Sequence, residues 1–471
     1  MSVLLWMKTG RMPVWQSLMY FIYSLLLGFA VLILLPRFIL DAFRHGKYVA
    51  GFRERLGWLP PIRNEGRAIV WIHCVSVGEA QAARPLVQAI RKRFPDYSIA
   101  ISTITLTGQN LAREIFKRDA EIIFYFPFDW RWVVRKTLNA INPSVVLLME
   151  TELWPGFLRE CEARQIPTAI VNGRLSEQSF RRYRWIRSFM SRILGSIDLA
   201  IMQTEVDASR LRSLGMNAEK TFVSGNMKFD VGAMPANNSL TAEFRERFKL
   251  IEGSSLILAA STHAPEEVII LNTLRQLISR SEFKPRLIIA PRHPERFSEV
   301  ADLLKTSGLR WARRTAPADP SDRQADVVLL DSIGELQSVY SLGSIVFVGG
   351  SIAKTGGHNI LEPAAVGAAV ITGPHTYNFQ FVVKTFVDAG AIVQLHPMSD
   401  SAAIIELGNV ISELFANPER RKELGERARR LVAKNRGATE RTIDLLSSIF
   451  PSSSNVEEQV APRSIQGAPT A

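Results

Sequence analysis

Cysteine is scarce. Only Cys74 and Cys161 occur in 471 residues, which excludes a disulfide framework and fits a reducing compartment. Cys74 lies in an apolar run and reads as a small core residue. The seven histidines are dispersed, without zinc-finger spacing or a companion carboxylate pattern. With no basic-aromatic recognition stretch either, nucleic acid is not the expected partner. The chain has no Gly-x-Ser-x-Gly elbow, no His-Glu-x-x-His and no Asp-x-Asp metal-nucleotide signature. Ala353-Lys354-Thr355 is not a Walker loop, because Gly does not precede the Lys. No metal and no resident cofactor are expected.

What is present is an ordinary globular composition, 47% hydrophobic and 22% charged, with 57 Lys and Arg against 45 Asp and Glu. The net charge of +12 favours anionic partners such as phospholipid head groups or phosphorylated substrates. The length suggests two or three domains.

No charged residue occurs from Met12 to Pro36. Roughly 20 apolar residues at about 1.5 Å rise cover about 30 Å of hydrocarbon. A single transmembrane helix is therefore expected at about 14–36, within an anchor of residues 1–40. Trp15, Tyr20 and Tyr23 lie towards one end, where aromatic belts occur. Two other readings exist: a signal peptide and a hydrophobic helix docked on a partner. The run is longer than a signal core, and Leu35-Pro36-Arg37-Phe38 offers no small-residue cleavage site. Lys8 and Arg11 precede the run, whereas Arg37, Arg44, Lys47, Arg53 and Arg55 follow it. That asymmetry places the bulk of the chain in the cytoplasm, against an anionic phospholipid surface.

Beyond Arg67, short apolar β-rich runs alternate with amphipathic stretches. Strands are expected at Ala68–Val75, Ser98–Ser102, Ile122–Tyr125, Ser144–Met149, Thr168–Val171 and Leu199–Gln203. The alternation lapses in the Gly, Pro and Asn cluster near Val231–Ser239 and restarts. Further strands are expected at Leu256–Ala260, Arg286–Ala290, Val327–Leu330, Ile345–Val348, Val370–Thr372 and Ile392–Leu395. This implies two α/β domains with parallel sheets, at 41–235 and 236–450. One long basic helical stretch, about Pro418 to Phe450, closes the second. The Ser- and Pro-rich tail 451–471 is expected to be disordered. In such domains ligands bind beyond the C-terminal ends of the strands, and two facing domains form a cleft suited to joining two substrates.

The loops at those ends carry the candidate chemistry. His73-Cys74-Val75-Ser76-Val77-Gly78-Glu79 puts Glu79 at a helix start. That fits a general base and also fits a carboxylate favoured by the helix dipole. Met149-Glu150-Thr151-Glu152-Leu153-Trp154-Pro155 places two carboxylates at a strand end, as reactive groups or as caps. Lys228, in Gly225-Asn226-Met227-Lys228-Phe229-Asp230, reads as an anion-neutralising group or a solvated lysine. Arg181-Arg182-Tyr183-Arg184-Trp185-Ile186-Arg187 reads as a phosphate contact or a basic surface helix. In the second domain, Pro291-Arg292-His293 offers donors for an anion. Asp331-Ser332-Ile333-Gly334-Glu335-Leu336 opens a helix whose amides suit a phosphate. Gly356-Gly357-His358-Asn359-Ile360-Leu361-Glu362-Pro363 adds a carboxylate suited to ribose hydroxyls, and Gly373-Pro374-His375 follows the next strand. Together these loops suggest a nucleotide site.

In this order, the motifs resemble those of the Kdo (3-deoxy-D-manno-octulosonic acid) transferases of lipopolysaccharide synthesis. Asn172-Gly173-Arg174-Leu175-Ser176 belongs to the same series. The resemblance runs from the N-terminal anchor to Pro363 and beyond, leaving out the tail. It implies a GT-B fold, two Rossmann-like domains facing a cleft, and an enzyme of the bacterial inner membrane. It implies inverting transfer of Kdo from CMP-Kdo to a lipid A precursor, lipid IVA, without a metal. Glu79 would be the general base, assisted by Glu150 and Lys228. CMP would lie against Pro291, Arg292, His293, Ile333, Gly334, Glu335, Asn359, Ile360, Leu361 and Glu362. Ile360 stands where many relatives have Pro. Other GT-B sugar-nucleotide enzymes, an epimerase among them, share the nucleotide domain but need no anchor. A non-enzymatic tethered binding protein would not need carboxylates at so many strand ends.

Overall fold

The computed structural model describes residues 19–20, 22–25, 27–29, 33, 51–62, 66–230, 238–250, 255–280 and 284–450. The chain divides into two compact units, one running to Asp230 and resuming at Gly437, the other spanning Val231–Arg436.

The first unit is built on β1 (Ala68–His73), β2 (Tyr97–Thr103), β3 (Ile122–Tyr125), β4 (Val145–Met149), β5 (Thr168–Gly173), β6 (Leu199–Met202) and β7 (Thr221–Val223). All pair in parallel, in the order β3-β2-β1-β4-β5-β6-β7. Every residue of β1, β2, β4 and β5 is buried, which explains why these strands read as continuous apolar runs rather than alternating ones. The helix Val77–Arg93 buries Ala80, Ala83, Leu86, Val87 and Ile90 against the sheet, the face its helical spacing predicts.

The second unit comprises β8 (Leu256–Thr262), β9 (Arg286–Pro291), β10 (Trp311–Arg313), β11 (Val327–Leu329), β12 (Ile345–Val348), β13 (Ala369–Thr372) and β14 (Val393–Gln394). Its strands are also parallel, in the order β10-β11-β9-β8-β12-β13-β14. Each sheet winds outward from its first strand, so the strand order reverses beside β1 and beside β8. Those crevices, between β1 and β4 and between β8 and β12, are where such sheets bind ligands.

Two expectations need correction. The stretch Pro418–Phe450 is not one helix. It breaks at Gly437, which adopts a left-handed φ of 82°, into Pro418–Asn435 and Ala438–Leu446. The segment 437–450, expected in the second domain, packs on the first unit. Ala438, Ile443, Leu446 and Phe450 join its core, and Phe450 stacks on Phe94 with ring centroids 4.1 Å apart. Asp230 caps the final helix, accepting the Gly437 amide at 2.8 Å and the Thr439 amide and hydroxyl at 2.7 Å.

Among the described residues no helix is long and apolar enough to cross a membrane. The anchor expected at 14–36 lies largely outside them, as do the tail 451–471 and the connection 231–237. The described part of the anchor is helical and rests against the first unit. Tyr20 meets Phe189 edge-on at 5.8 Å and lies beneath the Arg159 guanidinium at 4.5 Å. The Tyr23 hydroxyl donates to Asp129 at 2.9 Å. Ile22, Leu25, Phe29 and Ile33 form an exposed apolar stripe on this helix.

Candidate functional site

In the first unit, three sequence-predicted residues converge at the switch point. Glu79 occupies the third position of the helix Val77–Arg93 and is only 6% exposed. One carboxylate oxygen accepts the Val75 amide at 2.7 Å and the other accepts the Ser76 hydroxyl at 2.9 Å. Burial, then the nearby charge of Glu150, push its pKa up to about 8, against the pull of these two hydrogen bonds. The dipole and local donors alone would have lowered it, so desolvation wins.

Glu150 follows β4 in a left-handed conformation, φ 56°, and its amide donates to the Val171 carbonyl at 2.9 Å. A non-glycine residue held there costs roughly 1–2 kcal/mol. Such strain accumulates at functional sites. Lys228 Nζ donates to Glu150 Oε1 at 3.3 Å, both side chains being mostly buried. Glu152 is also raised, by burial first and then by Glu150. Lys228 is placed by a short chain of contacts. The Asn172 side chain accepts the Met227 amide at 3.0 Å, and Asn226 accepts the Lys228 amide at 3.0 Å. Asn172 itself has a φ of 55°. His73, by contrast, is wholly buried and stacked on Phe126, and burial lowers its pKa to about 3. It is a neutral core residue. Cys74 is fully buried too, as its apolar run implied. The Arg181–Arg187 segment is the exposed helix Glu177–Trp185 and its exit, with Trp185 90% exposed.

In the second unit the predicted loops share one edge of the sheet, since all follow parallel strands. Pro291 ends β9, and the Arg292 amide donates to the Thr262 carbonyl at 3.0 Å. His293 lies edge-on to His263 at 5.0 Å, and His263 stacks on His358 with their Nε2 atoms 2.8 Å apart. Burial first, then neighbouring His and Arg charges, lower His263 to about 4 and His358 to about 3. His263 and His358 are therefore neutral at pH 7. Arg292 beside them is exposed and forms no ion pair among the described residues.

The remaining donor residues differ in availability. Ile333 is 80% exposed and Gly334 has a φ of 87° with open space beside it. Glu335 is held by Arg314 through two bonds, at 2.9 and 3.0 Å, and by the Ser332 hydroxyl. Asn359 donates to Glu362 at 3.1 Å and accepts the Leu361 amide at 3.0 Å. Ile360 and Leu361 are core residues, their side chains buried. Neither residue offers a ligand an exposed group, the Leu361 amide being already committed to Asn359.

Sequence reading missed the group that organises this edge. Glu266, fully buried after β8, accepts five backbone amides. They come from His263 (3.0 Å), Gly350 (2.8 Å), Ser351 (2.9 Å), Ile352 (2.8 Å) and Ala353 (3.1 Å). It fixes the Gly349–Ala353 loop in the crevice between β8 and β12. A Cβ on Gly349 would stand 2.8 Å from that carboxylate, and Gly350 needs a φ of 69°.

Residues 50–231 match the family model described as 3-deoxy-D-manno-octulosonic-acid transferase (kdotransferase). The chain is 35% identical over 377 residues to the 3-deoxy-D-manno-octulosonic acid transferase of Haemophilus influenzae, covering 80% of this chain and 86% of that one. It is likewise 35% identical over 385 residues to that of Bordetella pertussis, covering 80% and 87%. Among solved structures, the C-terminal CMP-Kdo binding domain of WaaA from Acinetobacter baumannii is 34% identical, with a TM-score of 0.36, over 42% of this chain and 97% of that one. UDP-GlcNAc 2-epimerase from Neisseria meningitidis is 15% identical, with a TM-score of 0.46, over 81% and 100%.

Proposed function

The chain belongs to the Kdo transferase family of glycosyltransferases, and from that premise we propose that it moves Kdo from CMP-Kdo to the lipid A precursor lipid IVA. The observation that carries the assignment of chemistry is the buried Glu79 beside the Glu150–Lys228 pair. In this reading the fold is GT-B, with acceptor chemistry on the first unit and donor binding on the second.

Glu79 takes the proton of an acceptor hydroxyl. The freed oxygen attacks the anomeric carbon of Kdo from the face opposite CMP, while the bond to the phosphate oxygen breaks and CMP leaves as an anion. The configuration inverts. A base with a pKa near 8 is matched to proton abstraction near neutral pH. Arg292 brings a positive charge to the departing phosphate, and the neighbouring imidazoles and the helix amides after Gly334 donate hydrogen bonds to it, so the step needs no metal. In this reading Glu362 and Asn359, bonded to each other, meet the ribose hydroxyls. Lys228 balances Glu150, which keeps a second carboxylate close to Glu79 without repelling an anionic donor.

The test is product mass. The protein incubated with CMP-Kdo and lipid IVA is expected to add Kdo units to the lipid. An acceptor of unchanged mass overturns the assignment, and the final mass counts the units added.

The charge-free segment 12–36 and its basic flank support attachment to the cytoplasmic face of the inner membrane, beside anionic phospholipid. A single span is one form. The contacts of Tyr20 and Tyr23 favour a second, in which the helix lies along the surface with Ile22, Leu25, Phe29 and Ile33 in the lipid. Labelling a cysteine placed at Ser2 with a membrane-impermeant reagent, from either side of the membrane, separates the two.

A further inference from the structure

The N-terminal helix and the loop that carries Glu150 meet on one buried carboxylate. Asp129 is 2% exposed. Its Oδ1 accepts the Phe157 amide at 2.6 Å, and its Oδ2 accepts the Gly156 amide at 2.8 Å and the Tyr23 hydroxyl at 2.9 Å. Those two amides open the helix Pro155–Ala163, whose own N-cap residue, Trp154, supplies no side-chain cap. Asp129 is therefore that helix's cap, delivered from another part of the chain and favoured by the helix dipole. Gly156 makes room for it, since a Cβ there would stand 2.6 Å from the Asp129 carbonyl oxygen and 2.8 Å from Oδ1. The same helix carries Arg159, which covers Tyr20. The N-terminal helix thus grips Pro155–Ala163 both through Asp129 and directly.

Between β4 and this helix lie only Glu150, Thr151, Glu152, Leu153 and Trp154. So short a loop transmits a shift of Gly156 to Glu150, whose backbone is already constrained at φ 56°. We propose that the Tyr23–Asp129 hydrogen bond makes the N-terminal helix a positioning element for the Glu150 loop, in addition to any role as an anchor. Asp129 and Tyr23 act through the loop and touch no substrate. The kinetic part of this inference rests on the Kdo-transfer reading, and its structural part does not.

Tyr23→Phe in the full-length protein keeps the ring and removes only the hydroxyl. Two measurements are made in detergent micelles, where attachment to a membrane plays no part. The first is hydrogen exchange, where the Gly156 and Phe157 amides should exchange about tenfold faster than in the wild type. The second is steady-state transfer, where kcat should fall roughly threefold to tenfold with the CMP-Kdo KM unchanged. Tyr20→Phe, whose hydroxyl does not reach Asp129, should change neither. Asp129→Asn combined with Tyr23→Phe should lose less than the product of the single losses. Wild-type exchange at Gly156 and Phe157 in Tyr23→Phe overturns the coupling, and faster exchange with unchanged kcat overturns its catalytic consequence. A wild-type protein that transfers no Kdo sinks the functional reading, while the exchange measurement still decides the coupling.

Discussion

Glu79 and Glu266 stand at corresponding places in the two units, each in the first turn of the helix that follows the first strand of its sheet. Their surroundings assign them opposite work. Glu266 accepts five backbone amides, four of them from the distant loop 350–353. Such a carboxylate has no lone pair to offer a substrate, and it acts as a buried clasp. Glu79 accepts two bonds, both from its own turn, and faces the charge of Glu150. Place in the fold therefore locates a site without assigning its chemistry. The number of donors already committed to the carboxylate does that.

The sharpest way to break this contrast is Glu79→Gln. Turnover should fall by about 10³-fold or more, in the upper range for loss of a general base, while CMP-Kdo binding and the melting temperature stay near wild type. Near-normal turnover would remove the base assignment. Glu266→Gln should do the reverse. A single amide oxygen cannot accept five N–H groups, and its NH₂ would confront some of them. A cost of about 3–5 kcal/mol is expected, as for breaking other buried charged networks. A melting scan of this variant that matches the wild type would refute the clasp.

The pH profile comes next in size. With Glu79 raised to about 8, log kcat/KM should rise with unit slope towards pH 8 and then level off. Stability carries the opposite sign. A carboxyl whose folded pKa lies above its unfolded value of 4.5 contributes stability that is fully present below 4.5 and gone once pH has risen through about 8. Glu79→Gln should remove that part of the pH dependence of unfolding. A flat activity profile from pH 6 to 8 would contradict the raised pKa. The smallest effect belongs to Glu362→Ala, which should raise the donor KM several-fold, a loss of about 1 kcal/mol typical of one hydrogen bond. Unchanged donor kinetics would reject the ribose contact.

Much of this was legible in the sequence. Buried parallel strands leave continuous apolar runs, and most expected strands are present within a residue or two. The edge strands β7 and β10 were missed because they are short and also partly exposed, so neither shows the apolar run that marks the equally short but buried β11. Glu79 and Glu150 were singled out because each follows an expected strand, and Lys228 because it stands in the Gly225–Asp230 motif. What could not be read was pairing over distance. Nothing local marked Glu266, since four of its five partners lie 84–87 residues away. Asp129 carried no signal at all, since its link to Tyr23 spans 106 positions. The expected stretch Pro418–Phe450 ran through Gly437 unbroken, and nothing local told which unit the helix after it would join.

That last helix bears on how the molecule is made. The first unit's core is incomplete until Ala438, Ile443, Leu446 and Phe450 arrive, and the Asp230 clasp waits for a partner 207 residues later in the chain. At about 5–20 residues per second of synthesis, that is a delay of roughly 10–40 s. Throughout it the half-finished first unit leaves the helix Val77–Arg93 partly uncovered on the ribosome. The segment Val231–Arg436, by contrast, contains all the strands and core of its own unit. A fragment of that segment should fold by itself, whereas one ending at Asp230 should need the terminal helix supplied in trans.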